Sequence, residues 1–377
     1  MEKKKKKFLA RNIDTIFIIL GYECNLACKY CLQHTPEMVT ECISHEINPD
    51  IYDFIEQIVE ESPRKVRLQF FGGEPLVFRD SIKKIVKEVD RRKLDISWSL
   101  MTNGKLINQE MVDLFNSHNF WVCVSWDGIN SNRTRMYDAF EDPDKKELLF
   151  QIKDLGVSAV LSSYNYPLEI CESFQKLSAE YYKKWNKHLY MNVDEVMDTG
   201  GVDPDLLDID YDRVEKEMFE MTYEYLQDRM NGEVPFEHYA RNTFINTIYD
   251  FLSGFYDEKG FYRGEYRSNI CNCGNGYTTL NLGLDGSLYP CHNTSTKCGT
   301  IYWNYSRYLD EVLKTDNTKE NLKTCKDCIA LAYCHTGCKM VSPERREQTY
   351  CKLKKAVFLP VLSVIQNYGE SLQKEGD

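Results

Sequence analysis

The stretch GYECNLACKYCLQH, residues 21–34, places Cys24, Cys28 and Cys31 at the spacing C-x3-C-x2-C, directly after the apolar run TIFIIL. Thiolates are soft ligands for iron and zinc, and a structural metal site ordinarily takes four ligands. One short loop can bring all three thiols to a compact polynuclear centre. A cubane 4Fe-4S cluster has four irons, so three thiolates leave one iron open. An open coordination position marks a reactive centre, as it does for catalytic zinc. The alternative for the same residues is a three-thiolate zinc site completed by His34.

A second group of cysteines lies far along the chain. Of the 15 cysteines, nine fall between Cys271 and Cys351, including the run C325-KD-C328-IALAY-C334-HTG-C338. C-x2-C followed by two further cysteines could form a zinc ribbon. Seven or eight clustered thiols suit two four-ligand centres better than one zinc. The odd total fits incomplete pairing, and metal chemistry is the expectation in a chain without a secretory signal. The start MEKKKKKFLAR is basic, but the apolar IFIIL after it is too short for a signal-peptide core and lacks a small-residue cleavage site. The lysine run reads as a solvated, frayed terminus, and the expected location is cytoplasmic.

Composition sets outer bounds. The 377 residues suffice for one large domain or two ordinary ones, and 42% hydrophobic with 28% charged residues are values of a soluble globular chain. A formal charge of -11 argues against general binding to nucleic acid or anionic membranes. No apolar run reaches membrane-spanning length; AVFLPVLSVI is short and interrupted by Pro360.

The elements that must position these residues alternate in type. TIFIIL, KVRLQFFGG, ISWSLMTNG, FWVCVSWDG, VSAVLSSYN and HLYMNVDEV read as strands, rich in β-branched and aromatic residues and closed by turn residues. Between them, NPDIYDFIEQIVEES, DSIKKIVKEVDRRKL, NQEMVDLFNSHN, DPDKKELLFQIKDLG and LEICESFQKLSAEYYKKW carry apolar residues at helical spacing. Six β-α repeats predict an α/β fold with a parallel sheet, whose ligands meet the C-terminal ends of the strands. The Cys loop, GGEP, TNG and SWDG all fall at those ends. After about residue 200 come a linker and two helices, YDRVEKEMFEMTYEYLQDRMNG and HYARNTFINTIYDFLSG. The cysteine-rich part then contains GYTTLNLGLDGSLYPC, whose DG predicts a hairpin. A closing helix over CKLKKAVFLPVLSVIQNYGESLQ should break or kink at Pro360.

With these motifs in order, the sequence resembles the radical SAM enzymes: CNLACKYC with an aromatic residue, Tyr30, before the third cysteine, then GGEP at 72–75, TNG at 102–104 and SWDG at 125–128. The resemblance implies a partial (β/α)6 TIM-like barrel. It implies a cluster on Cys24, Cys28 and Cys31 whose open iron chelates S-adenosylmethionine, cleaved reductively to a 5'-deoxyadenosyl radical that takes hydrogen from substrate. Gly72 and Gly73 would allow backbone approach to the methionine moiety, with Glu74 near its ammonium. Ser125 and Asp127 would share one side of a strand end for ribose or carboxylate contacts. Arg135 would meet the methionine carboxylate, with Arg133 as competitor.

The C-terminal pattern resembles the SPASM extension of radical SAM enzymes that modify peptides and proteins, an α+β domain with two auxiliary 4Fe-4S clusters, making three clusters in all. The likeness assigns Cys325, Cys328, Cys334 and Cys351 to the second auxiliary cluster, and Cys273, Cys291 and Cys338 to the first. Its fourth ligand is open: Cys271 or Cys298, or an iron left vacant. Cys42, Cys123 and Cys171 read as ordinary thiols. The implied divisions are a barrel over 1–200, a helical linker over 201–260 and the SPASM domain over 261–377.

Resemblance also bears on substrate. The expected activity is that of a maturase forming a thioether or carbon-carbon crosslink in a ribosomally made peptide. The alternatives are the formylglycine-forming anaerobic sulfatase maturases, a small-molecule dehydrogenase and, outside enzymes, a zinc-binding module. In the sulfatase maturases an aspartate after the YPC cysteine is the base; here His292 stands in that place, a candidate base, a hydrogen-bonding neighbour of a cluster or a structural group. The expected partners are a peptide or protein substrate and a flavodoxin- or ferredoxin-type electron donor; with no leader-binding domain recognisable before strand one, any leader would be read by a separate leader-binding protein or by the barrel itself. The chain is expected to be a monomer.

Overall fold

The computed structural model describes residues 12–33, 46–253, 274–314, 323–334, 336–338 and 341–374. Two compact units emerge, one from Met1–Ser125, Arg135–Gly156 and Cys273–Asp316, the other from Trp126–Thr134, Val157–Asn272 and Asn317–Asp377. His34, Cys42, Cys271 and Cys273 lie outside the described residues.

The first unit is built on strands β1 (Thr15–Ile19), β2 (Val66–Phe71), β3 (Ile96–Thr102) and β4 (Trp121–Ser125) with intervening helices α1 (Asp50–Glu61), α2 (Arg79–Arg92), α3 (Gln109–Ser117) and α4 (Pro143–Leu149). β1, β2, β3 and β4 pair in parallel in chain order, with Ile16 opposite Leu68 and Leu68 opposite Trp98. The helices form because their apolar residues recur on one face: Ile51, Phe54, Ile55 and Ile58 in α1, and Ile82, Ile85, Val86 and Val89 in α2, are all buried. Asn108 caps α3, its side chain accepting from the Met111 N–H at 3.0 Å.

The hairpin expected at Asp285-Gly286 is present, joining β7 (Thr279–Gly283) to β8 (Ser287–Tyr289). Its turn needs Gly286 at φ +85°, a conformation L side chains rarely adopt. β7 also pairs in parallel with the other edge of β1, Thr15 opposite Thr279, and β9 (Gly299–Thr300) extends the sheet beyond β8. That placement makes β1 an interior strand, which is why Ile16, Ile18 and Ile19 are fully buried.

Several elements depart from the sequence expectation. The helix expected through DPDKKELLFQIKDLG stops at Leu149, because the Ile152 N–H closes a tight turn on the Leu149 carbonyl and Asp154 accepts from the Val122 N–H at 2.9 Å. The next strand, β5 (Leu155–Leu161), therefore starts two residues early. Helix α8 (Tyr305–Lys314) was not foreseen, since only Tyr308 and Val312 mark its buried side.

The second unit holds most of β5, β6 (Tyr190–Glu195), α5 (Pro167–Trp185), α6 (Tyr211–Asn231), α7 (Tyr239–Ser253) and α9 (Cys351–Lys374). The closing helix α9 runs through Pro360 without interruption. It is preceded by one π-helical turn, Arg346–Tyr350. No helix among the described residues is long and apolar enough to cross a membrane.

Candidate active site

Within the first unit the loops after β1, β2 and β3 are tied to one another by short bonds. The Gly73 N–H donates to the Gly21 carbonyl and the Glu74 N–H to the Glu23 carbonyl, each at 2.9 Å. A Cβ on Gly73 would lie 2.3 Å from the Glu23 carbonyl oxygen and 2.4 Å from that of Tyr22; one on Gly72, at φ +145°, would lie 2.3 Å from the Gly21 oxygen. Both positions must be glycine because backbone packs on backbone there. The close approach is to the Cys loop, so the two glycines fix that loop's backbone.

Glu74 braces the same loops. It is 1% exposed, and its carboxylate accepts from the Thr102 hydroxyl (2.6 Å), the Leu76 N–H (3.0 Å) and the Asn103 N–H (2.7 Å). Burial pushes its pKa up, and the three donors oppose the rise. Its oxygens thus join GGEP to TNG, and Glu74 positions the loops around the cysteines. Asn103, overlooked in the sequence beyond its place in TNG, donates from Nδ2 to Asn25 Oδ1 at 2.8 Å and so carries the chain of bonds into the Cys loop.

The three thiols sit on that braced loop. Cys24 is exposed while Cys28 and Cys31 are half-buried, and no disulfide involves any described cysteine. The Cys31 N–H closes a turn on the Cys28 carbonyl at 3.1 Å. Desolvation raises the Cys24 pKa; the Leu26 N–H works against this, and the nearby Glu74 and Cys31 add to it. Thiolates that discourage each other's ionisation are the ones an iron centre, with its positive charge, would hold ionised. Asn25 Nδ2 is buried without an acceptor among the described residues, so a donor inside the loop is left for a bound group. The residues present therefore fit a cluster on Cys24, Cys28 and Cys31.

Arg135 is 7% exposed, its guanidinium 5.1 Å from the Tyr30 ring centre, and its carbonyl lies 4.0 Å from Cys28 Sγ. It accompanies the Cys loop. Arg133, its competitor in the sequence, stacks at 3.5 Å on the Tyr164 ring within the second unit. Ser125 ends β4 and is half-buried. Asp127 lies past the strand in a tight turn, fully buried, with Oδ1 accepting from the Val160 N–H (2.9 Å) and Oδ2 from the Thr134 hydroxyl (2.6 Å). It is a fold-holding carboxylate, not a ribose ligand. The strand alternation expected to align it with Ser125 has already ended.

His292 belongs to the first unit. Its ring stacks on Phe17 at 4.4 Å and meets Phe71 edge-on at 4.5 Å; Nδ1 is buried without a partner among the described residues. Desolvation brings its pKa down to about 4. A general base works best with a pKa near the working pH, so this packing suits a neutral structural ring better than a base. Beside it Cys291 is buried, and Cys298 is buried with its thiol pushed up to about 12, mainly by desolvation.

In the second unit Cys325 and Cys334 are buried, and Cys328, Cys338 and Cys351 half-buried. Burial pushes Cys334 up to about 12, with Lys354 opposing and Cys351 and Cys325 adding to the rise. Burial raises Cys351 as well, with Arg346 opposing and Cys325 and Cys328 adding. Cys325, Cys328, Cys334 and Cys351 thus feel one another's charge. Among the described residues no three His, Cys, Asp or Glu side chains converge as one metal ion requires.

Comparison with known proteins bears on this geometry. Residues 18–169 match the model of the radical SAM superfamily. The chain is 31% identical over 140 residues to the radical SAM cyclopropyl synthase TigE of Paramaledivibacter caminithermalis, covering 33% of this chain and 29% of that protein. It is 23% identical over 369 residues to a cysteine-type anaerobic sulfatase-maturating enzyme of Clostridium perfringens, covering 89% and 92% of the two chains. Among solved structures, native anSMEcpe with bound AdoMet and Cp18Cys peptide matches with a TM-score of 0.62 and 20% identity, covering 95% of this chain and 99% of that one. Streptococcus suis SuiB bound to precursor peptide SuiA matches with a TM-score of 0.57 and 15% identity, covering 88% and 72%. The fold is therefore a mixed α/β radical SAM partial barrel whose cysteine-rich C-terminal region fits a SPASM-like domain. A 4Fe-4S cluster and S-adenosylmethionine are the cofactors that go with it. The braced triple-cysteine loop and the match over residues 18–169 agree, and this part of the chain is a radical SAM domain.

Proposed function

We propose that this chain is a radical SAM/SPASM maturase that abstracts hydrogen from a ribosomally made peptide and closes a thioether or carbon-carbon crosslink. The observation that carries the reading is the interlock of the three loops around Cys24, Cys28 and Cys31, with Arg135 alongside. When bound, the reduced cluster and S-adenosylmethionine supply a hydrogen-abstracting 5'-deoxyadenosyl radical, and two auxiliary clusters supply an acceptor for the surplus electron. The chain's part is placement. Cys24, Cys28 and Cys31 hold the first cluster, and Arg135, buried and fixed over Tyr30, offers its fork to the methionine carboxylate. Gly72, Gly73 and Glu74 keep the Cys loop's backbone in one place, and Ser125 remains a candidate contact to the cofactor. Cys325, Cys328, Cys334 and Cys351 hold one auxiliary cluster, and the ligands of the other stay those that the sequence likeness implies.

Peptide substrates are supported by the solved structures similar to this chain, which carry the Cp18Cys peptide and the precursor peptide SuiA. The electron donor is of flavodoxin or ferredoxin type, and the enzyme works as a cytoplasmic monomer. Formylglycine formation is the second reading, favoured by the near full-length likeness to a sulfatase-maturating enzyme. Against it stands His292, packed between aromatic rings in the place of that family's aspartate.

Protein reconstituted anaerobically, reduced and given S-adenosylmethionine should release 5'-deoxyadenosine, and Cys28→Ala should stop the release. Continued release from the variant refutes the cluster reading. Mass spectrometry of a cysteine-bearing peptide then separates the two activities: loss of two hydrogens with sulfur retained marks a crosslink, loss of sulfur with a new aldehyde marks formylglycine.

A further inference from the structure

The second unit contains a buried cation whose charge nothing described there balances. Arg346 is 1% exposed and opens the π-helical turn that leads directly into Cys351. One terminal nitrogen donates to Cys325 Sγ at 3.2 Å and to the Thr336 carbonyl at 2.9 Å; the other donates to the Thr324 hydroxyl at 2.8 Å. Nε is buried with no acceptor among the described residues. None of these partners is a carboxylate. Lys354, also buried and only eight residues further on, shows the contrast: its ammonium pairs with Glu195 at 2.7 Å.

A guanidinium cannot escape burial by losing its proton. Buried and unbalanced, it is costly, so an anion is expected where it points. It points at a cysteine sulfur, on a turn whose next residue is another of the four grouped thiols. Four thiolates around an iron-sulfur centre provide that anion, and hydrogen bonds and charge at the sulfurs are what set such a centre's potential.

We infer that Arg346 is a positioning residue and built-in counter-ion for the cluster held by Cys325, Cys328, Cys334 and Cys351, donating to the Cys325 sulfur and raising that cluster's reduction potential. The inference rests on the reading of those four cysteines as a cluster site. The added electron makes the centre more negative, and a fixed cation favours the reduced form.

The full chain, reconstituted anaerobically, is compared with Arg346→Gln and Arg346→Lys by iron content and by a redox titration followed by electron paramagnetic resonance. In Arg346→Gln one centre should show a reduced-to-oxidised ratio about tenfold lower at a fixed potential, about 59 mV for a one-electron couple. Arg346→Lys should recover most of it. Full iron with unmoved potentials in the Gln variant overturns the inference, as does equal loss of iron in both variants. A second measurement covers a variant that folds poorly. Denaturant midpoints of Arg346→Gln should rise relative to wild type in chelator-stripped protein and fall in loaded protein; a merely structural arginine would move both the same way. Failure of the underlying reading looks different: Cys334→Ala would then carry as much iron as wild type.

Discussion

Glu74 is a residue whose chemistry and architecture pull in opposite directions. A carboxylate buried to 1% exposure is costly, yet it is kept because three donors from two loops converge on it. Removing it by Glu74→Ala strands the Asn103 and Leu76 N–H groups and the Thr102 hydroxyl; at about 1–3 kcal/mol for each buried unsatisfied group, the loss should be about 3 kcal/mol or more. Denaturant unfolding should show that drop, and iron bound at the Cys loop should fall with it. GGEP, TNG and the cysteine spacing were legible in the sequence as markers. What they do was not, because a one-dimensional string shows neither that Gly73 abuts the Glu23 carbonyl nor that both carboxylate oxygens of Asp127 are engaged. Arg346 left no signal at all: an arginine between Arg345 and Glu347 reads as a solvated surface residue until its burial is seen.

At the scale of elements, the alternation of strand and helix was legible because each strand is a short β-branched or aromatic run and each early helix carries a buried stripe. The departures come where local preference is overruled. α4 ends early because Asp154 serves the edge of β4, and α9 continues through Pro360 where proline normally breaks a helix. The cap on α3 allows scaffold and site to be separated. Asn108→Ala deletes only the bond to the Met111 N–H and should cost about 1 kcal/mol. Its unfolding midpoint should fall while release of 5'-deoxyadenosine in the folded range stays at the wild-type level, unlike Glu74→Ala, where both decline.

For the whole molecule, metal and fold should stabilise each other, since a ligand bound only by the folded chain adds to its stability. Stripping iron with a chelator should lower the thermal midpoint by several degrees, and three four-iron centres would bring about 12 irons per chain before stripping. A chain that keeps its midpoint without iron would have clusters that are not structural. The parallel sheet was readable from repeats, but the neighbour that completes it was not, because period-two patterning marks a strand as buried without naming its partner. That neighbour has a consequence in time. β1, which leads into the Cys loop, pairs with β2 on one side and on the other with β7, Thr15 facing Thr279. At synthesis rates of about 5–20 residues per second, the segment carrying β7 follows β1 by on the order of tens of seconds. Through that interval the strand beneath the cluster loop presents an apolar, unpaired edge, a template for mispairing that a growing chain must keep shielded. Nascent chains ending before residue 279 should therefore aggregate more than longer ones, since a segment made late in synthesis seals the strand beneath the cluster loop.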